Sequence, residues 1–278
     1  MTGANAHRPP PAPAGIEHVR VGYQDIRVHI RPGTGSGVPL LMCGGIGASL
    51  EVLGPLANAI DPEIEIIRFD VPGIGGSPSS PLPYSFPQLA LVVGRLLDQL
   101  GYPQVDVLGY SWGGALAQQL GFIGPGRYRR LVLVSTSTGL FAVPGDPRVM
   151  KEMLTPRNFR NAREAMVMAA RVQHPDETGL ASVLPTGLSD LVAAGSSLGY
   201  LHQLLAIGTW SSLPFLPLLG QPVLVISGDA DPIVPLINAR IMTGLLPRST
   251  LHVFSGDHLG IVTAATELGE RTGRFLTA

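Results

Sequence analysis

The 278 residues allow one large domain or two small ones, and an apolar fraction of 45% is enough for a sizeable core. Charged residues make up only 14%, against roughly 25% in an average soluble protein, and a net charge of -1 supplies no positive field to hold a nucleic-acid backbone. The single cysteine, Cys43, excludes an internal disulfide and suits a reducing compartment.

Residues 1–15 are rich in Ala and Pro and lack a basic cluster followed by an apolar run, so they are expected to be a disordered lead-in rather than a secretory signal. Short β-branched runs then follow at 18–23 and 25–31, read as a hairpin, and at 39–43, 64–70, 105–109, 131–135, 223–227 and 250–254. Runs such as Leu131-Val132-Leu133-Val134 and Val223-Leu224-Val225-Ile226 are continuously apolar, as parallel strands covered on both faces must be. Between the runs, 85–100 places Phe86, Leu89, Val93, Leu96, Leu97 and Leu100 on one helical face opposite Gln88, Arg95 and Asp98. Further helices are expected over 49–60, 112–122, 236–245 and 261–276. Eight strands alternating with helices predict an α/β fold with a mostly parallel, doubly wound sheet.

The alternation fails over 140–217, where Met150, Met153, Met166, Met168, Tyr200, Leu204, Leu205 and Trp210 punctuate helical stretches. This interval is read as a helical cap inserted into one core made of 16–139 and 218–278. The longest apolar candidate, 213–226, is interrupted by Pro214, Pro217, Gly220, Gln221 and Pro222, so no transmembrane segment is expected. A cytoplasmic location is the resulting expectation, and the mean hydropathy of +0.28 suits work on an apolar surface.

The strongest chemical signal is Gly109-Tyr110-Ser111-Trp112-Gly113-Gly114, a Gly-x-Ser-x-Gly pattern directly after an apolar strand and before a helix. A serine on that turn projects its hydroxyl into solvent, with a helix N-terminus facing the negative charge that develops. It needs a base, and the base an acid to fix its tautomer. Both follow in order: Asp231 in Gly228-Asp229-Ala230-Asp231-Pro232 after the run at 223, and His258 in Gly256-Asp257-His258 after the last run. Asp231 is preferred as the acid because it immediately precedes Pro232-Ile233-Val234-Pro235, with Asp229 as the alternative. Of the seven histidines, only His258 lies in a Gly-rich loop after the last strand.

Acyl transfer also needs donors for the tetrahedral oxyanion, and these are assigned to the amides of Trp112 and Ile46, the latter in Cys43-Gly44-Gly45-Ile46-Gly47-Ala48. The same glycines complete neither Gly-x-Gly-x-x-Gly nor a Walker motif, and no His/Cys spacing signals a metal. Cys43 reads as a small buried apolar residue.

Gly45-Ile46-Gly47-Ala48, Phe69 through Ser77 and Ser111-Trp112-Gly113-Gly114-Ala115-Leu116-Ala117-Gln118-Gln119 resemble the intracellular medium-chain-length poly(3-hydroxyalkanoate) depolymerases of the α/β-hydrolase superfamily. The likeness continues through Leu198-Gly199-Tyr200, Asp231 to Asn238 and Gly256-Asp257-His258-Leu259. It implies an α/β-hydrolase fold and a serine esterase acting on hydrophobic polyester in association with apolar storage granules. The family's catalytic residues fall on Ser111, Asp231 and His258, and no cofactor is implied. One departure is Gly44, where hydrolases of this kind carry His or Asn, which bears on the rigidity of the oxyanion loop. A small-molecule esterase, lactonase or carbon-carbon bond hydrolase is the alternative enzyme reading, and a non-catalytic ligand-binding protein the reading from another class.

Overall fold

The computed structural model describes residues 15–153 and 196–278. All but the last residue of the expected lead-in, and much of the interval expected to be a cap, lie outside the described residues. Eight strands form one sheet: β1 (Gly15–Val21), β2 (Gln24–Arg31), β3 (Leu40–Cys43), β4 (Ile66–Phe69), β5 (Val105–Tyr110), β6 (Tyr128–Val134), β7 (Val223–Gly228) and β8 (Ser249–Phe254). Their spatial order is β1-β2-β4-β3-β5-β6-β7-β8. β1 and β2 pair antiparallel as a hairpin, β2 pairs antiparallel with β4, and the other contacts, from β4 to β8, are parallel.

Strand alternation divides the core between two faces. Leu41, Leu131, Leu133, Val223 and Val225 point into one apolar cluster, and Leu40, Met42, Val132, Val134, Leu224 and Ile226 into another. The first is covered by α2 (Phe86–Gln99) and α3 (Trp112–Ile123), and the second by α1 (Gly54–Ala59) and the C-terminal helix Ala265–Thr277. Helix α2 begins in a capping box, with the Ser85 amide donating to Gln88 Oε1 at 2.8 Å.

The remaining described α-helices are α4 (Pro147–Met153), α5 (Ser197–Gly208), α6 (Leu236–Leu245), α7 (Gly260–Thr263) and α8 (Ala265–Thr277). The expected helix over 261–276 is broken at Ala264, whose φ of -114° and ψ of 23° leave the helical region. Strand β6 starts at Tyr128 rather than 131, because Arg129 forks onto Asp106 of β5 at 2.9 and 2.6 Å and a polar pair replaces the apolar pattern there. Within 140–217, Ala206, Trp210 and Leu216 join the same apolar cluster as Phe86 and Trp112. Among the described residues no helix is long and apolar enough to cross a membrane.

The chain leaves β3 toward β4 on one side and returns to β5 on the other. This reversal places the loops after β3 and β5 side by side at the carboxyl ends of the strands, where open sheets bind ligands.

Candidate active site

Ser111 sits between β5 and α3 with φ 53° and ψ -119°, a conformation that costs energy for a residue with a Cβ. Its surroundings hold it there: the Ser111 amide donates to Val134 O at 2.9 Å, and its carbonyl accepts from Thr136 Oγ1 at 2.7 Å. Gly113 lets the start of α3 approach β3, since a Cβ there would overlap the Cys43 carbonyl. Although it stands at the N-cap of α3, Ser111 makes no side-chain cap, which leaves its hydroxyl free.

That hydroxyl lies 3.0 Å from His258 Nε2, and His258 Nδ1 lies 2.7 Å from Asp231 Oδ2. With the ring proton on Nδ1, facing the carboxylate, Nε2 accepts from the serine hydroxyl. Asp231 is fully shielded at its side chain, and its other oxygen accepts the amides of Ile233 and Val234, both at 2.8 Å. Asp229 is exposed, and its Oδ1 instead accepts the Gly256 amide at 3.0 Å, tying the β7 loop to the β8 loop. The structure thus brings together Ser111, His258 and Asp231 and leaves Asp229 out of the relay.

The two expected oxyanion donors lie on adjacent loops. A Cβ at Gly45 would stand 3.6 Å from Ser111 Cβ, so the β3 loop rests against the elbow, and Ile46 and Trp112 both line the cavity over Ser111. Neither the Ile46 nor the Trp112 amide is hydrogen-bonded to another described group. The cavity encloses about 290 Å³, and its wall is dominated by apolar side chains, among them Leu140, Val143, Met150, Met153, Leu204 and Ile207. Asn238 fixes part of that wall, accepting the Val143 amide at 2.8 Å and donating to the Val143 carbonyl at 2.9 Å.

Cys43 is buried, and burial pushes its thiol far above the ordinary range, so it offers no thiolate. Among the described residues no three His, Cys, Asp or Glu side chains gather as metal ligands.

Sequence reasoning missed Tyr110, whose hydroxyl donates to the His258 carbonyl at 2.9 Å, and Gln203, which accepts the Gly47 amide at 2.7 Å. Tyr110 occupies the variable place of the serine motif, and Gln203 sits mid-helix with no local signal.

Residues 38–265 match the family model described as alpha/beta hydrolase fold. The chain belongs to the α/β-hydrolase fold family. Among the relatives of this α/β-hydrolase chain, a poly(3-hydroxyalkanoate) depolymerase of Ectopseudomonas oleovorans is 39% identical over 272 residues, covering 96% of this chain and 94% of that protein. The 3-oxoadipate enol-lactonase 2 of Acinetobacter baylyi is 25% identical over 242 residues, covering 80% of this chain and 82% of its own. Among solved structures, a hydrolase from Pseudomonas aeruginosa PA01 superposes with a TM-score of 0.79 at 20% identity, over 95% of this chain and 98% of that one, a likeness of fold.

Proposed function

We propose that this chain is a serine ester hydrolase that cleaves medium-chain-length polyhydroxyalkanoate through an acyl-enzyme. The observation that carries the reading is the hydrogen-bonded series Ser111, His258, Asp231 opening into an apolar cavity. The depolymerase relative, alike over nearly the whole chain, supports the polyester as substrate.

In this scheme His258 takes the Ser111 proton through Nε2 as the hydroxyl oxygen attacks the ester carbonyl, and Asp231 stabilises the imidazolium that forms. The Ile46 and Trp112 amides hold the oxyanion, and the N-terminus of α3 adds its dipole. His258 then protonates the departing alcohol, and water, deprotonated by the same ring, releases the acid. The apolar cavity takes the alkyl side chain, so that burial of methylenes adds to binding. Residues 140–217 act as a cap inserted between 16–139 and 218–278; from it Leu140, Met150, Met153, Leu204 and Ile207 reach the cavity. Exposed Leu140 and Phe141 at its base suit contact with apolar storage granules in the cytoplasm.

The test is hydrolysis of p-nitrophenyl esters of increasing acyl length beside a medium-chain polyhydroxyalkanoate emulsion, with Ser111→Ala as control. Ser111-dependent cleavage of polymer and medium-chain esters is the expected outcome. Cleavage of short esters alone would replace the polymer reading with a small-molecule esterase or lactonase, and a Ser111→Ala chain of parental rate would sink the serine mechanism.

A further inference from the structure

The loop that carries Ile46 has no side chain of its own to brace it at position 44. It closes on itself through the Ala48 amide donating to Gly45 O at 3.2 Å, and a Cβ at Gly44 would already stand 3.3 Å from the Ala48 carbonyl. A brace therefore has to come from outside the loop, and α5 supplies one.

Helix α5 is itself firmly seated. Ser196 caps it by accepting the Gly199 amide at 2.9 Å, while the Ser196 amide donates to Gly73 O at 2.8 Å, on the loop after β4. Gly199 lies flat against Gly73, where a Cβ on either residue would collide with the other's backbone. One turn further on, Gln203 is 1% exposed. Its Oε1 accepts the Gly47 amide at 2.7 Å, and its backbone carbonyl accepts the indole Nε1–H of Trp112 at 2.9 Å. Gly47 follows Ile46 directly, and Trp112 carries the other oxyanion donor, so one buried residue grips both segments that form the hole. Gln203 stays outside the cavity wall, which its neighbours Leu204 and Ile207 line.

We infer that Gln203 is a positioning residue that fixes the Ile46 and Trp112 amides at the separation the oxyanion requires. The inference rests on the serine-hydrolase reading and extends it to a residue that never touches the reacting atoms. Oxyanion donors act only within a few tenths of an ångström of their proper place, so a loosened loop loses transition-state binding while ground-state binding in the apolar cavity persists.

The experiment compares the parent, Gln203→Met, Trp112→Phe and the double variant, measuring kcat and KM on a medium-chain p-nitrophenyl ester. It also measures inhibition by a trifluoromethyl ketone, which adds to Ser111 and places an oxyanion in the hole. Methionine keeps the length and packing of Gln203 without the acceptor, and phenylalanine keeps the ring without the indole donor. Gln203→Met is expected to lower kcat by about 10- to 100-fold with KM within about twofold, and to weaken the ketone by the same factor as kcat/KM. Trp112→Phe should lower kcat by a smaller factor in the same pattern, and the double variant should fall short of the product of the two. If Gln203→Met does not fold, Trp112→Phe decides alone. Folded variants with parental kcat and parental ketone inhibition would overturn the positioning role. A parent whose hydrolysis does not depend on Ser111 would overturn the serine-hydrolase reading itself, and this inference with it.

Discussion

Tyr110 holds His258 by its backbone: the phenol hydroxyl of the last residue of β5 donates to the His258 carbonyl at 2.9 Å, and the two ring centroids lie 5.2 Å apart. The strand that presents the serine thus also holds the loop that presents the histidine. Burial, reinforced by Asp231, keeps the phenol well above its ordinary pKa, so it remains a donor at any working pH. Tyr110→Phe removes this donor and leaves a buried carbonyl without it. Stability should fall by about 1–3 kcal/mol in urea unfolding, and kcat by about tenfold as the imidazole loosens against Ser111. Parental values for both would mean that the loop after β8 keeps its place without the tether.

The two aspartates of the β7 loop should separate sharply. Asp231 Oδ1 already accepts two amides, so an asparagine there must offer its oxygen to Ile233 and Val234 and turn its NH₂ toward His258 Nδ1. The ring proton then moves to Nε2, where it can no longer accept from Ser111. Asp231→Asn should lower kcat by about 10³- to 10⁴-fold. Asp229→Asn keeps an oxygen for the Gly256 amide and should stay within about twofold of the parent, as exposed substitutions do. Steady-state kinetics on one ester distinguish them, and equal losses at both positions would contradict the geometry.

The residues that could be read from sequence were those whose chemistry is local. The Gly-x-Ser-x-Gly turn and the apolar runs of β5 and β7 are each set by neighbours in the chain, and they stand where their patterns put them. Alternation could not separate Asp231 from Asp229, which share one turn, and the preference for Asp231 rests on the Pro232-Ile233-Val234-Pro235 that follows it; what distinguishes them lies in space, since both reach the β8 loop but only Asp231 meets His258 Nδ1. The start of β6 was missed because Arg129 is polar by type and finds its partners only in space, in Asp106 on the neighbouring strand and the Leu276 carbonyl. Gln203 was out of reach for the same reason: its partners Gly47 and Trp112 lie 156 and 91 residues away.

On the proposed function, the cavity wall sets the acyl length that is accepted. Met150, Met153, Leu204 and Ile207 border a space of about 290 Å³, and each methylene that finds a place there contributes about 0.8 kcal/mol. Ile207→Trp fills part of that space. The preferred p-nitrophenyl ester should become shorter, with kcat/KM falling about fourfold for every methylene displaced, while the shortest esters keep their parental rate. A length profile identical to the parent's would show that acyl chains bind elsewhere.

Two histidines outside the site should make the fold sensitive to mild acid. Burial lowers the pKa of His29, and the adjacent Arg68 guanidinium, with Nη2 3.0 Å from His29 Nδ1, lowers it further. Burial also lowers that of His202, packed edge-on against Tyr84 at 5.6 Å. Both begin from an ordinary value of 6.5 in the unfolded chain. Below that pH the unfolded chain takes up protons that the folded chain refuses, so stability drops as pH falls from 6.5 toward the lower folded values and is unaffected above it. Thermal unfolding should therefore show the midpoint falling between about pH 7 and pH 5, with a shallower slope in a His29→Gln, His202→Phe chain. Carboxylates common to both chains cancel in that difference, so parallel slopes would mean that neither imidazole resists protonation in the folded state.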